Sequence, residues 1–143
     1  MTNRIVLVSC VKTKQKCPAP ARELYTSPLF KGMRQYAERV GDAWYVLSAQ
    51  YGVLRPDELV APYERTLKAM PKKERIEWGQ QVQLKLLELL PPDSEVIILA
   101  GEAYRENIVG FLEEHGFTVS VPMFGLKFGP QLRWLKDQAA TGF

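Results

Sequence analysis

Residues 4–30 read RIVLVSC-VKTKQKCPAPARELY-TSPLF. Ile5, Val6, Leu7 and Val8 form a short, mostly β-branched apolar run without polar alternation, the pattern of a strand covered on both faces in a parallel sheet. The run stops at Ser9 and Cys10. The next stretch is polar and proline-rich, and it carries Lys12, Lys14, Lys16 and Arg22 with no acidic residue until Glu23, so a positive local field is expected. It reads as a binding loop, with a solvated lysine loop as the alternative. Ser27 followed by Pro28 predicts a helix start. The hydroxyl accepts from an early backbone N–H, and proline takes the first helical position, where its missing donor is harmless. A ligand is expected beyond the end of this first strand.

Working outward, a helix is predicted over Pro28–Val40, with Leu29, Phe30, Met33, Tyr36, Ala37 and Val40 at helical spacing and Gly41 ending it. Residues 43–47 (AWYVL) form a second buried strand that ends at Ser48. Residues 48–67 then read as a long irregular segment, broken by Gly52, Pro56 and Pro62 but anchored by Tyr51, Leu54, Leu59 and Tyr63. A long helix is predicted over residues 71–90, with Ile76, Gly79, Val82, Gln83, Leu86, Leu87 and Leu90 on its apolar face and Pro91 and Pro92 stopping it. Glu95–Leu99 (EVIIL) is the third buried strand. A helix over residues 104–115 stops at a left-handed Gly116, a fourth strand covers 117–121, and a last helix covers about 130–139. Alternating strands and helices predict a three-layer α/β domain, a mostly parallel sheet of about four strands with helices on both faces.

The chain of 143 residues suits one domain, residues 1–143, with a core that needs neither disulfide nor metal. Its charged fraction of 24% argues against disorder, and no apolar run reaches transmembrane length. With no secretory leader and only two cysteines, seven residues apart, a cytoplasmic location with reduced thiols and no membrane association is expected. The sole histidine, His115, cannot complete a zinc site with them, and no cofactor is expected. A net charge of +3 permits an anionic partner without requiring one.

Sheets of this kind bind ligands beyond the carboxyl ends of their strands. The candidates converge there. Cys10 is either a nucleophile, its thiolate favoured by Lys12 and Lys14, or a small apolar filler. Lys12 suits a phosphate or carboxylate in either case. Tyr25 and Ser27 offer hydroxyls, although Ser27 also reads as a plain N-cap. Ser48, Tyr51 and Gly52 fit a tight turn that brings a phenol and backbone close to a planar ligand, or simply a packed turn. Gly101, Tyr104 and Arg105, with Glu102 among them, place N–H groups, a ring and charges where a helix opens. The Walker lysine loop, GxGxxG, HExxH and GxSxG patterns are all absent, which removes most support for the common nucleotide-triphosphate, dinucleotide, zinc-protease and esterase readings.

Residues 5–13 (IVLVSCVKT), 48–65 (SAQYGVLRPDELVAPYER) and 99–104 (LAGEAY) resemble, in order, three signature stretches of the YaaA superfamily. In YaaA these are an apolar strand followed by Ser-Pro-Ala-Lys-Thr, a Ser-Gly-Leu-Tyr-Gly-Leu-Leu-Arg-Pro followed by Pro-Tyr-Arg, and Leu-Ala-Ser-Asn-Glu-Tyr. Small bacterial domains of unknown function with Cys-Ser-Lys-x-Lys and Leu-Tyr-x-Ser-Pro-Leu-Phe are closer still, the latter matching residues 24–30. YaaA is a peroxide-stress protein associated with DNA binding, and the resemblance implies roles for Ser9, Lys12, Tyr51, Gly52, Arg55, Pro62, Tyr63 and Tyr104. Cys10 has no counterpart, since YaaA has proline there. A fainter similarity links Cys10, Lys14, Tyr25 and Ser27, by order but not by spacing, to the core domain of archaeosine synthase, which modifies a deazaguanine base in tRNA.

The expected function is therefore recognition of a nucleobase, nucleotide or nucleic acid, by an enzyme (hydrolase, lyase or transferase) that acts on a base, modified or not, or on its N-glycosidic bond. The alternative is a non-catalytic DNA-binding stress-response protein. Cys10 and Lys12 are the candidate catalytic residues. Ser9, Lys14, Tyr25, Ser27, Ser48, Tyr51, Gly52, Arg55, Tyr63, Gly101, Tyr104 and Arg105 are the candidate ligand contacts. Arg55 is expected to make ordered hydrogen bonds near the cleft.

Overall fold

The computed structural model describes residues 3–9 and 14–141. In it the apolar run becomes β1 (Arg4–Ser9), which is buried from Ile5 onward. A strand with no solvent-facing side must be flanked on both edges as well as covered on both faces. β1 accordingly lies between β3 (Ala43–Ser48) and β6 (Glu95–Leu99), parallel to each, with Leu7 opposite Tyr45 on one side and Ile98 on the other. β7 (Thr118–Ser120) extends the sheet in parallel beside β6. The expected three-layer α/β fold and the parallel pairing of its first three long strands are both observed.

The sheet has five strands, because Gly52–Leu54 folds back along β3 as an antiparallel edge strand, β4, in the order β4-β3-β1-β6-β7. Gly52, at φ 76°, makes this reversal in a backbone region that side chains other than glycine's rarely adopt. The two stretches read as loops also satisfy each other. β2 (Ala19–Pro20) pairs antiparallel with β5 (Leu59–Val60), the Ala21 N–H donates to the Glu58 carbonyl at 2.9 Å, and the Arg22 N–H to that of Pro56 at 2.9 Å. Backbone that would otherwise be buried without partners is thereby paired. A single turn, α1 (Ala21–Leu24), follows β2.

Helix α2 (Pro28–Val40) starts as predicted, with Ser27 Oγ accepting from the Phe30 N–H at 3.1 Å. At its end Gly41 is not left-handed. A Cβ there would meet the Ala37 and Ala43 carbonyl oxygens and Val6 Cγ2 at 2.9–3.0 Å, so glycine serves close approach. Helix α6 (Phe128–Thr141) packs beside α2 on one face of the sheet, where Leu135 Cδ1 reaches the position a Gly32 Cβ would crowd.

Helix α3 (Lys72–Leu89) lies on the other face, following a one-turn 3₁₀ helix at Leu67–Ala69. It buries Trp78, Gly79, Val82 and Leu86, whereas Ile76 and Leu87, expected inside, are exposed. The predicted helix over 104–115 is two helices, α4 (Glu102–Arg105) and α5 (Val109–Glu114), with Gly116 left-handed at φ 87°. The break has a cause in α3. Asn107 is held against Gly79 by its Nδ2 donating to the Arg75 carbonyl and its own carbonyl accepting from Gln83 Nε2, while Arg75 bridges Glu106 at 2.8 Å. These ties replace the hydrogen bonds that a continuous helix would make.

A candidate ligand cleft at the carboxyl edge of the sheet

After β1 the chain crosses to β3 on one side and later to β6 on the other, so strand order reverses between β1 and β6. At such a reversal the connections splay apart and leave a crevice. A cavity of about 450 Å³ occupies that place, floored by Ser9 from β1, Leu99 from β6 and Ala100 and Gly101 just after it, with walls from α2, α4 and the loop after β7. Its described lining has two cations, Lys68 and Arg105, and one acid, Glu102. Arg105 is immobilised by an Nε–H bond to the Ala100 carbonyl at 2.9 Å and lies 5.2 Å from the centre of the Phe124 ring. Such a guanidinium can present its remaining N–H groups to an anion or a base edge without being ordered first.

Beside this cleft, at the ends of β1 and β3, stands a second constellation. Ser48 Oγ accepts from the N–H groups of Gln50 (3.2 Å) and Tyr51 (3.1 Å), so its own proton is available to the Tyr63 hydroxyl at 2.8 Å. Tyr63 and Tyr25 share a hydrogen bond of 2.6 Å in which either phenol can be the donor. The Tyr51 ring stands edge-on to Tyr63, with centres 5.4 Å apart. Lys14, held by a bridge to Tyr25, puts its ammonium 4.5 Å from the centre of the Tyr63 ring and 5.9 Å from that of Tyr25. The electron-rich ring faces stabilise that charge. A lysine fixed over phenols at a strand end is suited to bind an anion, and the linked hydroxyls can pass a proton among themselves.

Trp78 joins the two halves. Its indole N–H donates to the Ser48 carbonyl at 2.9 Å, and its ring meets Tyr104, a lining residue of the cleft, edge-on at 5.6 Å. Sequence reading left Trp78 out of the helix face, although its spacing from Val82 and Leu86 is helical and a buried indole needs an acceptor. Lys68 was likewise passed over, having no local pattern around it.

Of the expected contacts, Ser9, Gly101, Tyr104 and Arg105 meet in the cleft, and Lys14, Tyr25, Ser48, Tyr51 and Tyr63 in the adjoining cluster. Gly52 supports the cluster as the start of β4. Ser27 is used as the cap of α2, the plainer of its two readings. Arg55 is placed otherwise than expected. Antiparallel β4 carries the chain back from Ser48 toward the amino end of β3, and Arg55 lies exposed beside Ala43, Trp44 and Asp57 with no side-chain hydrogen bond among the described residues. Cys10 and Lys12 lie outside the described residues. Among those residues no helix is long and apolar enough to cross a membrane.

A family model described as "Family of unknown function (DUF6884)" matches residues 5–137. The chain is also 29% identical over 120 residues to "Uncharacterized protein YfjM" of Bacillus subtilis (strain 168), a match covering 78% of this chain and 79% of that protein.

Proposed function

The chain belongs to the DUF6884 family, and from that premise we propose that it is a cytoplasmic nucleobase- or nucleotide-binding enzyme acting on a base, modified or not, or on its N-glycosidic bond. The observation that carries the reading is the cleft at the strand-order reversal, where Gly101, Tyr104 and the fixed guanidinium of Arg105 converge beside the Lys14–phenol cluster. Its volume is within the range of small-ligand sites. Ring surface, a fixed N–H fork and a cation are what a planar, hydrogen-bonding, anionic ligand requires. The resemblance of residues 5–13, 48–65 and 99–104 to the YaaA superfamily supports the same ligand class.

Calorimetric titration with free bases, nucleosides and nucleoside monophosphates, with chromatography of the products, tests the proposal. Binding should weaken about tenfold or more in Arg105→Ala, the usual loss for a hydrogen bond to a charged group. Lys12→Ala should cost about 1–3 kcal/mol of binding if an anionic group docks after β1. Cys10→Ser should abolish turnover only if the thiolate is a nucleophile. Absence of binding to every one of these ligands would end the proposal, and tight, steeply salt-dependent binding to duplex DNA alone would favour the non-catalytic alternative.

A further inference from the structure

Two large aromatic side chains stand in solvent at one rim of the cleft. Phe124 is 71% exposed and Phe128 is 58% exposed, although this chain buries most of its other large rings. Phe124 is not loose. Its ring rests against Arg105, and its loop is closed by the Phe124 N–H to the Val121 carbonyl, the Leu126 N–H to the Met123 carbonyl, and Gly125 at φ 78°. Phe128 opens α6 one turn before Gln131, and residues three apart share a helix face. Gln131 lines the cleft, so Phe128 lies on the cleft side of α6. Lys127, between the two in sequence, is exposed. The cations at this rim are Lys127 and, from α4 against the Phe124 ring, Arg105, whereas Arg133 and Lys136 line a separate groove against α2.

Single exposed aromatics need no explanation, but two on one cationic rim beside a ligand cleft do. We propose that Phe124 and Phe128 form a stacking platform for single-stranded nucleic acid. The ligand is then a base within a strand: one nucleotide enters the cleft, its neighbours stack on the two rings, and Lys127 and Arg105 face the phosphates. Every base has a π-face, so such a platform is tolerant of sequence, and its charges make binding sensitive to salt. A duplex keeps its bases stacked on one another and cannot use the rings without being opened. The inference rests on the cleft reading above, since it assigns the flanks of that same ligand.

Fluorescence anisotropy at one fixed salt concentration, with short single-stranded DNA and RNA oligonucleotides, the matching duplexes and nucleoside monophosphates, reads the platform as the ratio of oligonucleotide to mononucleotide affinity. The ratio should exceed about tenfold in the native protein and fall by about tenfold for each of Phe124→Ala and Phe128→Ala, the usual contribution of one stacked base. Phe124→Trp and Phe128→Trp should keep it. Both rings are exposed, so the variants should fold, which circular dichroism verifies. A ratio near one, a ratio indifferent to the alanine changes, or duplex bound as tightly as single strand would overturn the platform. If no mononucleotide binds, the cleft reading fails by itself, while oligonucleotide affinity in Phe124→Ala and Phe128→Ala against the native protein still decides this one.

Discussion

Tyr25 and Tyr63, 38 positions apart and each in a proline-rich stretch, share a buried hydrogen bond of 2.6 Å. Tyr63 also accepts from Ser48 at the end of β3, so one phenol ties the segment after β1 to the segment after β3. The β2–β5 pairing holds the same two segments together at their bases.

Removing the middle hydroxyl should therefore cost more than removing an ordinary one. Tyr63→Phe leaves the Ser48 proton without its acceptor and strips a bond from Tyr25, for an expected loss of about 1–3 kcal/mol in urea denaturation. In a double-mutant cycle with Tyr25→Phe, the two changes should be non-additive. Strict additivity would mean that the two hydroxyls do not act together.

Gly79 is set against Asn107. A Cβ at residue 79 would lie 2.5 Å from Asn107 Cβ, and Asn107 is fixed at both ends by α3 itself. Alanine favours helix by about 1 kcal/mol over glycine, but overpacking a held neighbour costs about 1–3 kcal/mol. Gly79→Ala is accordingly expected to lower the melting temperature. A rise would show that the α4–α5 junction yields freely.

Tyr36 supplies a pH dependence remote from the site. Burial against the Trp134 ring pushes its phenol above the ordinary value of 10.0, with Arg4 and Arg39 opposing and Glu95 adding. A raised folded pKa means that the unfolded chain loses its proton first. The contribution is complete below about pH 10 and is lost as pH rises from there through the folded value. Melting temperatures measured across this window should fall less steeply in Tyr36→Phe than in the native protein. Parallel curves would refute the assignment.

Arg55 should be dispensable for ligand binding. Exposed and without a side-chain partner among the described residues, it lies toward the opposite edge of the sheet. Arg55→Ala should change stability by no more than about 0.5 kcal/mol and leave ligand affinity in the cleft as it was. A large affinity loss would restore the role implied by the YaaA resemblance.

The parallel centre of the sheet was legible because its signal is local. Unbroken apolar runs at residues 5–8, 43–47 and 96–99 can be buried in few other ways, and Ser27 with Pro28 and Gly116 act on their own backbone neighbours. That Ser48 and Gly101 share one edge followed from parallel strands alone. The phase of α3 was less legible, since its apolar residues outnumber the positions on one face: Gly79, Val82 and Leu86 are buried as expected, but packing selected Trp78 over Ile76 and Leu87.

By itself, then, the sequence determined the strand core, the start of α2 and the common strand edge of Ser48 and Gly101, all of which depend on residues a few positions apart. The tertiary structure alone decided the rest. It made strands of Gly52–Leu54, Ala19–Pro20 and Leu59–Val60, which are too short to persist without a partner, and split residues 102–114 where Asn107 meets Gly79. It also joined Ser48, Tyr63 and Tyr25 into one hydrogen-bonded chain. A hydrogen bond between residues 38 positions apart leaves no mark in the spacing of either one's neighbours. It forms only after burial of the core has brought the two segments together.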